Sequence, residues 1–123
     1  MMNETVYQSI YEELSRYLMA GWEKLIIYLE YGNASYSFSF FVKKGKDYLK
    51  CYDLPGVTED ELAKSFKKID KTVGRERGKL KDVWTNMTMV VDSDGNMHTY
   101  YDYTDLSEGT YQFKKNWKKK YLI

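Results

Sequence analysis

The chain has one cysteine, Cys51, and one histidine, His98, the side chains best suited to nucleophilic and general-base chemistry near neutral pH. Nothing local joins them into a pair. Cys51 falls in a strand-forming stretch, Tyr48 to Tyr52, with no CxxC or CxxH spacing that would make a metal ligand of it, and a lone buried cysteine is ordinarily inert. Asp92-Ser93-Asp94-Gly95-Asn96 has the look of a calcium loop, but its glycine comes too early. The twelfth position, which needs a bidentate glutamate, is Tyr103, so the segment reads as a hairpin turn. Gly74-Arg75-Glu76-Arg77-Gly78 lacks the Gly-Lys-Ser/Thr ending and the preceding strand of a phosphate-binding loop and reads as a flexible, charged connector. With no nucleophile elbow, paired-carboxylate signature or cofactor motif, the expectation is a binding protein with no catalytic residues, cofactor or metal. An enzyme would need a pocket that gathers Cys51 or His98 with a carboxylate.

Charge is more informative by segment than in total. The net charge of +1 points to neither a polyanionic nor a polycationic partner. Between Ala63 and Lys81, however, eight residues are basic (Lys64, Lys67, Lys68, Lys71, Arg75, Arg77, Lys79, Lys81) and only Asp70 and Glu76 are acidic. From Asp82 to Phe113 the six charges (Asp82, Asp92, Asp94, Asp102, Asp105, Glu108) are all acidic, and Lys114, Lys115, Lys118, Lys119 and Lys120 follow. Solvated helix and turn faces account for such runs; so does electrostatic docking to a partner, which raises on-rate and specificity.

Aromatics make up 17% of the chain, 13 of them tyrosine, an excess that needs a place. Half belong at the rim of a sheet-helix core with their hydroxyls outward. In Tyr100-Tyr101-Asp102-Tyr103-Thr104-Asp105 the rings alternate with carboxylates, which repel phosphate. That favours a protein surface over a nucleic-acid one.

These residues must be positioned by local elements. Val6, Ile10, Leu14 and Leu18 recur every fourth position and predict an amphipathic helix from Glu4 with Gly21 as its stop. Trp22 to Tyr31 is an apolar strand, Gly32-Asn33 a tight turn, and Tyr36, Phe38, Phe40 and Val42 alternate with Ser35, Ser37 and Ser39 in its hairpin partner. Tyr48 to Tyr52 makes a third strand before Leu54-Pro55-Gly56 breaks the ladder. Thr58-Glu59-Asp60-Glu61 is a capping box, stapled by Val57 and Leu62. Leu62, Phe66, Ile69 and Val73 then trace the stripe of a second helix that Gly74 would end. Trp84 to Val91 and Met97 to Tyr103 form a second hairpin, and Thr110 to Leu122 a terminal helix anchored by Tyr111, Phe113, Trp117 and Tyr121. The order α-β-β-β-α-β-β-α specifies an α+β fold, an antiparallel sheet of about five strands with packed helices.

At 123 residues the chain is one domain's worth, residues 1–123, with no linker or repeat. Neither a basic leader followed by an apolar run nor a stretch long enough to span a bilayer is present, so a cytoplasmic location without membrane association is expected. The sequons at Asn3, Asn33 and Asn86 then carry no glycan.

The order of these landmarks resembles the YezG-like immunity proteins, antitoxins encoded beside polymorphic toxins that are secreted or delivered by contact-dependent inhibition. The likeness is carried by the N-terminal helix leading into Trp22-Glu23-Lys24, the serine-aromatic alternation from Ser35 to Val42, and Trp84 opening a strand. Asp94-Gly95-Asn96, and Tyr101-Asp102-Tyr103 before a lysine- and aromatic-rich segment around Trp117, complete it. The resemblance implies neutralisation of a cognate toxin C-terminal domain, commonly a nuclease, by occlusion and not by chemistry. A nuclease cleft is basic, so its inhibitor needs carboxylates that stand in for phosphate, ringed by aromatic anchors. Asp94, Tyr100, Asp102, Tyr103, Asp105 and Glu108 fit that demand, with Glu12, Glu13 and Glu30 as a second patch. The chain would act as a monomer or weak homodimer without touching nucleic acid. Two other classes share these features: an interaction or adaptor domain, which could pair through an exposed strand edge, and a nucleic-acid-binding domain.

Overall fold

The computed structural model describes residues 3–123. Three α-helices surround one antiparallel sheet: α1 (Glu4–Ser15), β1 (Lys24–Gly32), β2 (Ser35–Lys44), β3 (Asp47–Lys50), α2 (Glu59–Arg77), β4 (Asn86–Asp92), β5 (Met97–Asp102) and α3 (Tyr111–Tyr121). The spatial order is β3-β2-β1-β4-β5, which puts β1 at the centre between the two hairpins. The expected element order and the five-stranded antiparallel sheet are both found.

Burial explains the order. Leu25 to Leu29 are all buried, because β1 carries helices on both faces and has no solvent side to alternate with. Leu25, Ile27 and Leu29 join Phe38, Phe40, Met87 and Met89 in a large core against α1 and α2, while Ile26, Tyr28 and Phe41 face α3 and its Trp117 in a smaller one. The two stripes read from sequence form the helix side of the large core: Val6, Ile10 and Leu14 on α1, and Leu62, Phe66, Ile69 and Val73 on α2. Each such side chain contributes roughly 1.5–3 kcal/mol of transfer free energy. The Asn3 side chain accepts from the Val6 amide at the start of α1, and the Thr58 hydroxyl accepts from Glu61 at the start of α2.

Several boundaries differ from expectation for identifiable reasons. The first helix stops at Ser15, and Leu18 follows it as a half-buried loop residue. Gly74 does not end the second helix, which runs to Arg77 and stops at Gly78. A side chain at Gly74 would meet the Asp70 carboxylate and the Tyr31 hydroxyl at 3.1 and 3.5 Å, so the glycine serves close packing inside the helix. The expected flexible connector is therefore helix. Arg77 donates to the Trp84 carbonyl at 2.8 Å and lies over the Tyr31 and Trp84 rings. Cys51 is not on a strand; β3 ends at Lys50 and Cys51 opens a single 3₁₀ turn to Asp53. Trp84 precedes β4, buried beside Tyr31 and Tyr101. Tyr111 anchors nothing at 80% exposed, and Trp117 is the one buried residue of α3.

Candidate functional site

Sheet register decides which of the singled-out residues can act together. Glu30 pairs with Ser37 on one side and Asn86 on the other, and Asn86 pairs in turn with Asp102. Directly opposed residues in an antiparallel sheet share a face. Ser37, Glu30, Asn86 and Asp102 thus form one row across four strands on the α3 side of the sheet. With strands roughly 4.8 Å apart, the backbones of Glu30 and Asp102 are about 10 Å from each other. Two carboxylates assigned from sequence to separate patches lie in one row of the sheet.

The row is held by polar contacts. Tyr28 donates to Glu30 Oε1 at 2.6 Å, and burial, that hydrogen bond and the charges of Glu30 and Asp102 all push the Tyr28 phenol up from its ordinary value. Asp102 Oδ1 accepts from the Thr104 amide at 2.7 Å. Burial alone would raise the Asp102 carboxyl, but hydrogen bonds from Thr104 and Asn86 and the charge of Lys120 hold it below the usual carboxylate range. Asp102 thus keeps its negative charge at neutral pH.

Beside the row, a cleft of about 360 Å³ opens between the second hairpin and α3, with Thr88, Tyr100 and Asp102 on the sheet side and Phe113, Trp117 and Lys120 on the helix side. Trp117 is fixed there by its indole N–H on Thr88 at 2.9 Å and by edge contact with Tyr28. Tyr100 projects from the same face, 49% exposed, with its ring 5.9 Å from Tyr121. Tyr103, 56% exposed, continues past the end of β5 into the segment carrying Asp105 and Glu108, both exposed. Asp105 accepts from the Ser107 amide at 2.9 Å, which shapes that segment.

Asp94 is set apart from these. It lies in the turn at the other end of the β4–β5 hairpin, about 20 Å away by the length of β5. That turn is closed by Asp92, whose carboxylate accepts from the Asp94 and Asn96 amides and the Asn96 side chain, a hairpin turn as expected. Glu12 is exposed on α1, on the opposite side of the sheet, and Glu13 is engaged there with Ser65, Arg16 and Lys68. Tyr101, between Tyr100 and Asp102, turns into the large core, where its hydroxyl meets that of Tyr7. The alternation of a strand accounts for it, since neighbours point to opposite faces.

Sequence reading missed Asn86, Thr88 and the α3 wall. The signal was there in part: the unbroken apolar run of β1 marks a central strand flanked on both sides, which is what brings Glu30 beside β4. Cys51 and His98 sit on opposite sides of the sheet order, beside β2 and on β5. Burial raises the Cys51 thiol, and the two residues do not meet. Among the described residues no three of His, Cys, Asp and Glu are gathered to hold a metal ion, and no helix is long and apolar enough to cross a membrane.

The arrangement is a charged, aromatic-rimmed surface with a shallow cleft, suited to recognition. No curated protein matches the sequence. The family model described as immunity protein YezG-like matches residues 3–122, nearly the whole chain, and the protein therefore belongs to the YezG-like family of immunity proteins.

Proposed function

We propose that the chain neutralises a cognate toxin domain, a nuclease, in the cytoplasm of the producing cell by covering its substrate-binding surface. Family membership supports the immunity role and a toxin as the partner. The observation that carries the placement is the row Glu30–Asn86–Asp102 beside exposed Tyr100 and the α3 cleft. Its carboxylates present to a basic cleft the charge that phosphates would, and Tyr100 and Tyr103 supply contact area at low entropic cost. Asp105 and Glu108 extend the surface, and Asp94 lies outside it. The mechanism is occlusion, with no residue of this chain acting on a bond. Asp102→Lys combined with Asp105→Lys is expected to weaken binding to the toxin domain encoded by the adjacent gene at least tenfold, or about 1.4 kcal/mol, by calorimetry. Unchanged affinity would remove the surface from this position while leaving the immunity role standing.

A further inference from the structure

The outer edge of β2 is half covered. β3 pairs with Phe41 to Lys44 only, although β2 begins at Ser35. The main-chain direction along this edge follows from its neighbours: Glu23 donates to the Lys43 carbonyl, so the odd-numbered residues of β2 turn their backbone groups toward β1 and the even-numbered ones turn outward. Among the outward residues, Val42 and Lys44 are opposed by β3, and the Phe40 amide donates to the Cys51 sulfur. Tyr36 and Phe38 have no backbone partner on that side among the described residues.

This free segment, Ser-Tyr-Ser-Phe-Ser-Phe, carries no charge, none of the lysines or prolines that usually blunt an edge. A cleft of about 580 Å³ runs along it toward α2, bordered by Tyr36 and Tyr52, 39% and 50% exposed, and floored by Phe38 and Phe66.

We infer that a second copy of this chain docks here, β2 against β2 in antiparallel pairing about a two-fold axis at Ser37. That register satisfies the edge: Tyr36 of one copy opposes Phe38 of the other twice over, exchanging four hydrogen bonds and using every free outward group of both strands. Ser37 faces Ser37 and Ser35 faces Ser39, so no like charges are opposed, while the Tyr36 and Phe38 rings meet across the seam over the α2 clefts. The other open edge, β5, lacks this property. Two copies pairing there would bring Asp102 and Asp105 of one toward Asp92 and Asp94 of the other. The β2 seam also aligns the acidic rows of both copies end to end through Ser37. Their Glu30 backbones stay about 14 Å apart, beyond the screening length at physiological salt.

The isolated full-length chain tests this without any toxin. Light scattering is expected to give a mass rising with concentration from 14.7 kDa toward twice that value, and Ser37→Lys, which sets two ammonium groups against each other on the axis, is expected to hold it at the monomer. Under mild oxidation Ser37→Cys is expected to form a disulfide-linked dimer, because Cα atoms of such a pair lie about 4.5 Å apart, within disulfide reach. Ser35→Cys and Ser39→Cys, each about 14 Å from its own copy, are expected to stay uncrosslinked. A wild-type chain monomeric at every concentration would overturn the proposal. So would crosslinking at Ser35→Cys equal to that at Ser37→Cys, or crosslinking through Thr99→Cys on β5.

Discussion

Replacing Trp117 by alanine is expected to release α3 from the sheet without unfolding the rest. The helix has eleven residues, five of them lysine and none acidic, and Trp117 alone is buried. An isolated helix of that length is marginal in water, and its lysines at i, i+3 and i+4 repel one another. Its attachment therefore centres on one ring, with Phe113, Tyr121 and Leu122 packed beside it. Trp117 contacts Tyr28 and Phe41 at 5.1 and 5.6 Å between ring centres and donates to Thr88 at 2.9 Å. Truncating a buried aromatic costs about 3–5 kcal/mol, and the lost hydrogen bond is part of that. The measured global loss should stop near the lower figure, because once α3 has undocked nothing further is lost. Trp117→Phe keeps most of the packing and removes the donor, so about 1–2 kcal/mol is expected. Denaturant unfolding reads the totals, and native-state hydrogen exchange reads the location: α3 amides should lose protection in Trp117→Ala while those of β1 and β4 keep theirs. A loss under about 1 kcal/mol with α3 still protected would refute the reasoning.

Three further outcomes follow from other contacts. Arg77→Ala removes a charge-assisted hydrogen bond to Trp84 and two cation–π contacts, and is expected to cost about 2 kcal/mol in chemical denaturation, against less than about 0.5 for exposed Arg75→Ala. Ala34 holds a left-handed φ of 55° in the β1–β2 turn, so Ala34→Gly is expected to raise the thermal midpoint, at about 0.5–1 kcal/mol. The Asp102 carboxyl is lowered in the folded state by Thr104, Asn86 and Lys120 acting against burial. Its contribution is present above the unfolded value, about 3.9, and is lost as pH falls through the lower folded value. Asp102→Asn should lose less stability than wild type on acidification across that range, as read by denaturant midpoints.

How much of this was readable from sequence depends on the range of the interaction involved. The α2 stripe, the α1 stripe as far as Leu14, the Thr58 cap, the serine-aromatic alternation of β2 and the Asp92 turn are local, and each appears where its pattern puts it. Gly74 misleads because a glycine can serve packing inside a helix as well as end one; here the helix needs a bare α-carbon near Tyr31, a residue of a distant strand, and runs on to Arg77. Arg77 looked like one of a run of solvated cations and is instead stacked on an indole ring, since Trp84 folds back over the end of α2. The proposed surface was half legible. Tyr100, Asp102, Tyr103, Asp105 and Glu108 follow one another along the chain, whereas Glu30 joins them only through the pairing of β1 with β4, a contact between residues far apart in sequence. Which side of the sheet α3 covers, and so which side holds the cleft, is a packing choice that no periodicity encodes.

The central claim is that Glu30 and Asp102 form one surface for the toxin and that other carboxylates do not belong to it. The direct measurement compares the affinity of the toxin domain for Glu30→Lys, Asp102→Lys, Glu12→Lys and Asp94→Lys by calorimetry, with circular dichroism confirming that each variant is folded. Tenfold or greater losses are expected for Glu30→Lys and Asp102→Lys, and changes within about threefold, or 0.7 kcal/mol, for the other two. Equal losses at Glu12 or Asp94, or none at Glu30 and Asp102, would contradict the account.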